Sequence, residues 1–276
     1  MNRTKITSRL KYLVIFGWLF FIIAPYLWMF ITSLKPPAEI YTKTINYWPN
    51  NPSIESYLSL LKTTPFIRYF LNSLLVAVGT TVIALIASVT AAFVFSRLPF
   101  RGSRGLLSGM LVSQMVPAIL LAIPLFLIFN KLSFVNSIVK LILAHSTYAI
   151  PFATWTMTGF INEIPRSIDE AAAIDGASPL QIFWHVLLPL IIPGVVGVAT
   201  YIFIFSWKEF LYALTLTSRT VDRTLPIGLH TFMGEYTIRW DLLTSAGVIT
   251  VIPVILIFVL GQKYLIAGLT AGSTKG

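Results

Sequence analysis

Six apolar runs, near residues 12–31, 70–95, 106–129, 138–160, 190–216 and 243–267, leave this chain few ways to fold. Each is long enough to cross about 30 Å of hydrocarbon at about 1.5 Å per helical residue. Hydrocarbon offers the backbone no hydrogen-bond partner, so each run must satisfy its own N–H and C=O groups, which an α-helix does. The expected fold class is therefore all-α, a polytopic membrane protein with six transmembrane helices. The 276 residues are treated as a single membrane domain. Composition agrees: 11% of residues are charged and the mean hydropathy is +0.81, against about 25% charged residues in soluble domains. The fifth run is the longest and leaves three readings open: a tilted helix, a break at Pro193, or continuation past the bilayer.

The charges set an orientation. Arg3, Lys5, Arg9 and Lys11 precede the first run, and Arg97, Arg101 and Arg104 separate the second from the third, with no acid among either group. Both clusters belong on the cytoplasmic side. Six spans then put both termini there. The net charge of +10 is spread in short clusters between apolar runs, which points away from a nucleic-acid partner. The basic flank ahead of the first run also suits a secretory signal, but the run exceeds an h-region and Ser33-Leu34-Lys35-Pro36 offers no small-x-small exit, so a retained helix is expected. Outside the membrane, Ile54 to Leu61 reads as a short amphipathic helix at the interface.

Between the fourth and fifth runs the local chemistry predicts a rigid cytoplasmic elbow. Ser167 followed by Glu170 is a capping-box spacing for a helix beginning near Ile168. Ala171 to Ala173 favour the helix and leave a smooth face. Gly176 suits the left-handed position just past a helix end. Ser178, Pro179 and Gln181 make a second capping box with proline at the first helical position. Leu188-Pro189 is expected to end that second helix and begin the return to the bilayer. An ordinary amphipathic hairpin is the plainer alternative.

Residues 170–189 also resemble the EAA loop of ABC import permeases, with Glu170, Ala171, Ala172, Gly176, Val186, Leu188 and Pro189 at that family's spacing. The end of the chain, Gly268-Leu269-Thr270-Ala271-Gly272-Ser273-Thr274-Lys275-Gly276, resembles the Gly-Leu-Thr-x-Gly-x-x-Lys-Gly tail of carbohydrate importer permeases, the group that contains the maltose transporter's shorter permease subunit. Tyr69 to Leu74 and Trp207 to Phe210 sit where that group has similar words. One departure is Lys208, where the group usually carries Asn or another neutral polar residue.

The resemblance implies a type I ABC importer permease fold, with a permease core over 69–265 and a coupling loop over 161–190. It implies that the loop inserts into a cleft on an ATPase subunit, whose closure around ATP drives the permeases from inward-open to outward-open. Glu170 would make charge-assisted contacts there. Ala171, Ala172 and Gly176 would allow close approach, and Asp175, Ser178, Val186, Leu188 and Pro189 would complete the loop. Gly272, Lys275 and Gly276 would add a second ATPase contact. The implied partners are a second homologous permease, two copies of an ATPase, an extracytoplasmic sugar-binding protein and a sugar, in a prokaryotic plasma membrane.

No Gly-x-x-x-x-Gly-Lys-Ser/Thr occurs, so ATP and Mg are expected on the partner subunits and no cofactor or metal on this chain. Neither His-Glu-x-x-His nor Gly-x-Ser-x-Gly occurs, and no catalytic residue is expected. Charges at mid-helix cost about 2.5–3.5 kcal/mol each, which singles out Lys208 and Glu209 in the fifth run as candidates for a substrate path, with bonding to a partner permease or snorkelling at the outer interface as the alternatives. Gln114, His145 and Tyr148 are further candidates, with helix-to-helix hydrogen bonding as their plainer role. Two other functions remain open at this point: an ion-coupled secondary transporter, and an ABC permease for a non-sugar solute.

Overall fold

The computed structural model describes residues 3–131, 135–234 and 236–271. The Gly272, Lys275 and Gly276 tail contact lies outside them. In chain order the α-helices are α1 (Arg3–Ser33), α2 (Pro37–Ile40), α3 (Glu55–Thr63), α4 (Phe66–Arg97), α5 (Ser103–Ser113), α6 (Ala118–Lys131), α7 (Ser137–Glu163), α8 (Arg166–Ile174), α9 (Pro179–Gln181), α10 (Leu188–Trp207), α11 (Leu211–Leu216), α12 (Leu225–His230) and α13 (Trp240–Ala271). A π-helical turn, Ile182–Leu187, joins α9 to α10. Among the described residues the extended pairing is one isolated bridge, Met233 with Ile238. The class is all-α, as the apolar runs require.

Four stretches are long and apolar enough to span a bilayer: Lys11–Ser33, Phe66–Arg97, Pro179–Trp207 and Trp240–Tyr264. The 27 residues of α7 are long enough as well, but its polar middle makes it less apolar than those four. The run over 106–129, expected as one span, is a pair of helices bent by 98°. Pro117 is the reason, because a proline disfavours helical geometry at the preceding Val116 and cannot donate to the ladder. Helix α5 closes instead with short-range bonds, Gln114 N–H to Leu111 O at 3.0 Å and Met115 N–H to Val112 O at 3.0 Å.

The contacts divide the described residues into two compact units, one within 1–67 and 228–252, the other within 68–227 and 253–276. In the first unit, α3 forms over the amphipathic stretch and buries Ser56 and Leu60. Tyr41 Oη donates to Asp241 Oδ1 at 3.0 Å, and Arg239 grips the same carboxylate at 2.7 Å. This fastens the segment after α1 to the start of α13.

The second unit is a helical core. Ala84, Val89 and Ala92 of α4 meet Ala149, Ala153, Met157 and Ile161 of α7 and Ile191, Val198 and Ile202 of α10. Four alanines stand among them because lipid supplies no hydrophobic drive between helices, so close backbone approach and van der Waals contact must hold them. Gly194 is one close point of approach: a Cβ there would meet the Phe160 ring at 2.7 Å. A second cluster joins Leu141 and Ala144 of α7 to Ala122 and Phe129 of α6 and Tyr212, Ala213 and Leu216 of α11.

The fifth run is not broken at Pro193, which lies inside α10. Its break falls at Lys208, Glu209 and Phe210, between α10 and α11.

Candidate functional site

The predicted elbow is present, built differently at its two ends. Helix α8 starts two residues before Ile168, with Pro165 at the N-cap and no side-chain cap. The Ser167 capping box therefore does not form, because Pro165 already sets the extended entry geometry and Ser167 falls inside the first turn. The far end is as expected. Gly176 has φ +88°, its N–H bonds Ala173 O at 3.0 Å and the Ala177 N–H bonds Ala172 O at 3.0 Å. That pair of bonds is a Schellman closure, which needs the left-handed conformation glycine adopts freely. Nothing lies within 4 Å of a Cβ built there, so the constraint is backbone and not crowding.

Beyond the turn, Ser178 Oγ accepts from Gln181 N–H at 3.4 Å and Gln181 Oε1 accepts from Ser178 N–H at 2.8 Å, a complete capping box. The helix so begun does not stop at Leu188-Pro189. It passes through the π turn, where Leu188 N–H bonds Phe183 O, and continues as α10. The wider i→i+5 ladder sets Pro189 in the first turn of α10, where a missing N–H costs least. The elbow is thus one short helix and the tip of a span, so a push on α9 acts along α10 directly.

Of the loop residues, Glu170, Ala171, Asp175, Gly176, Ser178 and Pro189 are exposed, while Ala172, Val186 and Leu188 are half-buried. Ile174 is 86% exposed and Leu180 66%, an apolar tip suited to a protein partner and not to water. Glu170, Asp169 and Pro179 help line a cleft of about 260 Å³ beneath α8.

Arg97, the last residue of α4, was legible only as a cytoplasmic charge, yet it anchors the elbow. Its guanidinium pairs with Asp169 of α8, the two side chains being 8% and 15% exposed. It also donates to Ile164 O at 2.9 Å. Ser96 Oγ donates to Asn162 Oδ1 at 2.5 Å, and Arg166 donates to Ser96 O at 3.2 Å. Four bonded contacts therefore tie the end of α4 to the α7–α8 corner. No periodicity could have flagged this, because the partners lie about seventy residues apart and meet only through packing.

The residues singled out in the spans fall into two groups. His145 is 1% exposed, with Nδ1 2.7 Å from Ser206 Oγ and Nε2 3.1 Å from Glu209 Oε2. Glu209 also accepts from Tyr212 N–H at 2.8 Å and Ala213 N–H at 3.1 Å, capping α11. Gln114 donates to Tyr148 O at 3.1 Å, holding the α5–α6 bend against α7. Tyr148 stacks on Phe205 with centroids 5.1 Å apart, and Phe205 in turn lies parallel to Tyr201 at 6.5 Å. Lys208 is exposed at the end of α10. Ser206 and the rings of Phe205 and Tyr201 that continue the row from Tyr148 were missed, since an aromatic in an apolar run carries no signal of its own.

Taken together, a set of bilayer-length helices and a braced, solvent-facing elbow define a membrane subunit worked by a partner outside the bilayer. The chain belongs to the family of binding-protein-dependent transport system inner membrane components, which matches residues 83–270. It is a permease subunit of an ABC importer. It is 34% identical over 252 residues to the sulfoquinovosyl glycerol transport system permease protein SmoH of Agrobacterium fabrum, covering 91% of this chain and 88% of that one. Identity to the trehalose/maltose transport system permease protein MalG of Thermococcus litoralis is 32%, over 91% of each. A chain in the crystal structure of a bacterial ABC transporter that imports the acidic polysaccharide alginate superposes with a TM-score of 0.82 over 96% of this chain and 98% of that one, at 20% identity. That likeness extends the shared fold to nearly the whole length.

Proposed function

We propose that this chain is one of two homologous permeases in a sugar importer, forming half of the translocation path. The sugar systems named for its relatives support the substrate class. In this reading two ATPase subunits, carrying ATP and Mg, seat their clefts on the elbow, and an extracytoplasmic binding protein delivers the sugar. Both termini and the elbow face the cytoplasm, following the basic clusters at Arg97, Arg101 and Arg104. The observation that carries the proposal is the braced elbow: exposed Glu170, Ala171 and Gly176, continuity from α9 into α10, and the Arg97 tie to α4.

The arrangement explains how force could travel. A partner gripping α8 moves a rigid body, because the Gly176 closure and the Ser178 capping box fix the angle between α8 and α9. Displacement reaches α10 through the continuous helix and α4 through Arg97–Asp169. On the substrate side, we assign His145, Gln114 and Glu209 to holding the two helix breaks in shape. Tyr148 and Lys208 are the residues assigned to sugar contact: a ring face for the apolar side of a sugar and an ammonium for its hydroxyls.

The test is uptake by the transporter complex in proteoliposomes, with ATP inside and all ion gradients collapsed. Uptake of a labelled sugar that requires both ATP and the binding protein supports the reading. Uptake that follows an ion gradient and ignores ATP contradicts it. Transport of amino acids or phosphate in place of any sugar contradicts the substrate class alone.

A further inference from the structure

The first unit contains a cavity of about 470 Å³, walled by the end of α1, the segment after it and the start of α13. Nothing in the transport reading uses it. Two tryptophans, Trp28 and Trp240, line it and remain 42% and 46% exposed. Tryptophans at the ends of two bilayer-length helices mark the level of lipid headgroups.

Lys35 lines the same cavity and is only 5% exposed. A lysine that snorkels keeps its ammonium in water, and this one does not. Its Nζ donates to Asn46 O at 2.6 Å and lies 4.5 Å from the Trp28 ring centroid. No carboxylate pairs with it among the described residues. An ammonium has three donors, so one protein acceptor leaves it short of partners. Thr32 is the second unfilled group. It is buried on the cavity wall, and its hydroxyl has no hydrogen-bond partner among the described residues. Thr244 on the opposite wall satisfies itself on Trp240 O at 2.7 Å, as helical threonines commonly do.

The cavity also holds a negative charge. Glu39 is fixed by the N–H groups of Asn50 and Asn51 at 3.0 and 3.3 Å, one to each carboxylate oxygen. Each oxygen keeps a further lone pair for a ligand. An ammonium and a carboxylate in one headgroup-level cavity, not paired with each other, ask for a ligand with both charges reversed.

We propose that this cavity binds a phosphoethanolamine lipid headgroup, with the phosphate on Lys35 Nζ and Thr32 Oγ1 and the ligand's ammonium against Glu39 and the tryptophan faces. An anionic headgroup without an amine would leave Glu39 facing a like charge. The membrane is the source because α1 beside the cavity is exposed and apolar, with Phe21 at 73% and Ile22 at 55%, a track for an acyl chain.

Native mass spectrometry of the purified transporter complex, titrated with phosphatidylethanolamine, phosphatidylglycerol or water-soluble glycerophosphoethanolamine, tests this. The native chain should retain phosphatidylethanolamine about tenfold more tightly than phosphatidylglycerol, the scale of one charge-assisted contact. Lys35→Gln should weaken retention about tenfold and Thr32→Val, which keeps its shape, about threefold. Glu39→Gln should erase the preference between the two lipids. Equal retention by the native chain and the near-isosteric Thr32→Val variant would overturn the assignment of Thr32 and of the cavity. Glycerophosphoethanolamine binding as tightly as the lipid would overturn the membrane source, and displacement of bound lipid by free sugar would make the cavity a sugar subsite instead.

Discussion

Helix α8 buries none of its nine residues, while α7 buries His145, Ser146, Thr154 and Thr158 along with its apolar positions. The two helices adjoin in sequence and invert the usual distribution. Outside the spans, small and apolar groups stand exposed at Ala171, Ile174 and Leu180. Inside, polar groups are hidden, and His145, Ser146 and Thr158 are hydrogen-bonded. In water an exposed apolar tip is suited to a partner that covers it; in lipid a polar side chain is hidden against its own helix or a neighbouring one. The elbow is therefore shaped for something absent from this chain, and the α7–α10 cluster for something within it. Damage to the elbow should spare the fold and harm transport, and damage to the cluster should do the reverse.

The sharpest challenge to that division is Arg97, which belongs to both regions. Arg97→Ala leaves Asp169 with no cation in a mostly buried site, and breaking such a pair typically costs about 3–5 kcal/mol. Thermal unfolding of the purified complex should register a marked loss, and Arg97→Lys should recover part of it, since one ammonium cannot replace a fork that also reaches Ile164 O. Next comes His145→Leu, which removes the side-chain partner of Ser206 and leaves Glu209 with the N–H groups of Tyr212 and Ala213. It should destabilise by about 1–3 kcal/mol, while ATP hydrolysis in whatever folds stays coupled to uptake.

Gly176→Val should destabilise by about 1–2 kcal/mol, the cost of a branched residue in the left-handed region. Its effect on transport should be far larger than its effect on unfolding. Ser178→Ala removes one cap and should cost about 1 kcal/mol, read as a small shift in unfolding with partial loss of uptake. Lys208→Ala is the mildest for the fold. An exposed side chain with no fixed partner among the described residues should change stability by less than about 0.5 kcal/mol, so any fall in sugar affinity measured with it reports contact with the solute. A large unfolding shift for Lys208→Ala would blur the comparison from which the roles were assigned.

The elbow was readable in the sequence because caps are local. Gly176, Ser178, Pro179 and Gln181 act on atoms within five residues of themselves, and spacing alone carried their geometry. Ser167 misled for the same reason: its spacing was right, but Pro165 upstream had already set where α8 begins. At Pro189 a local rule also failed, since a π turn absorbed the proline and let the helix run on into the bilayer. The 98° bend at Pro117 and the break at Lys208–Phe210 lay within runs that each read as one span by length and overall hydrophobicity. Composition detects a span, while the pairings of Gln114 with Tyr148 and of Glu209 with His145, which brace the breaks, appear only in the packed structure. The Arg97 tie was the least accessible, because Arg97 read as an ordinary cytoplasmic charge until α4 and α8 were brought together.

The central claim is that the elbow transmits the partner's motion through a fixed angle. The most direct measurement is binding-protein-stimulated ATP hydrolysis and sugar uptake by the same proteoliposomes, for the native chain, Gly176→Val and Glu170→Lys. The elbow account predicts that both variants assemble with normal spans while hydrolysis and uptake fall together. Native rates of both in the two variants would contradict it and reduce residues 161–190 to a plain connector.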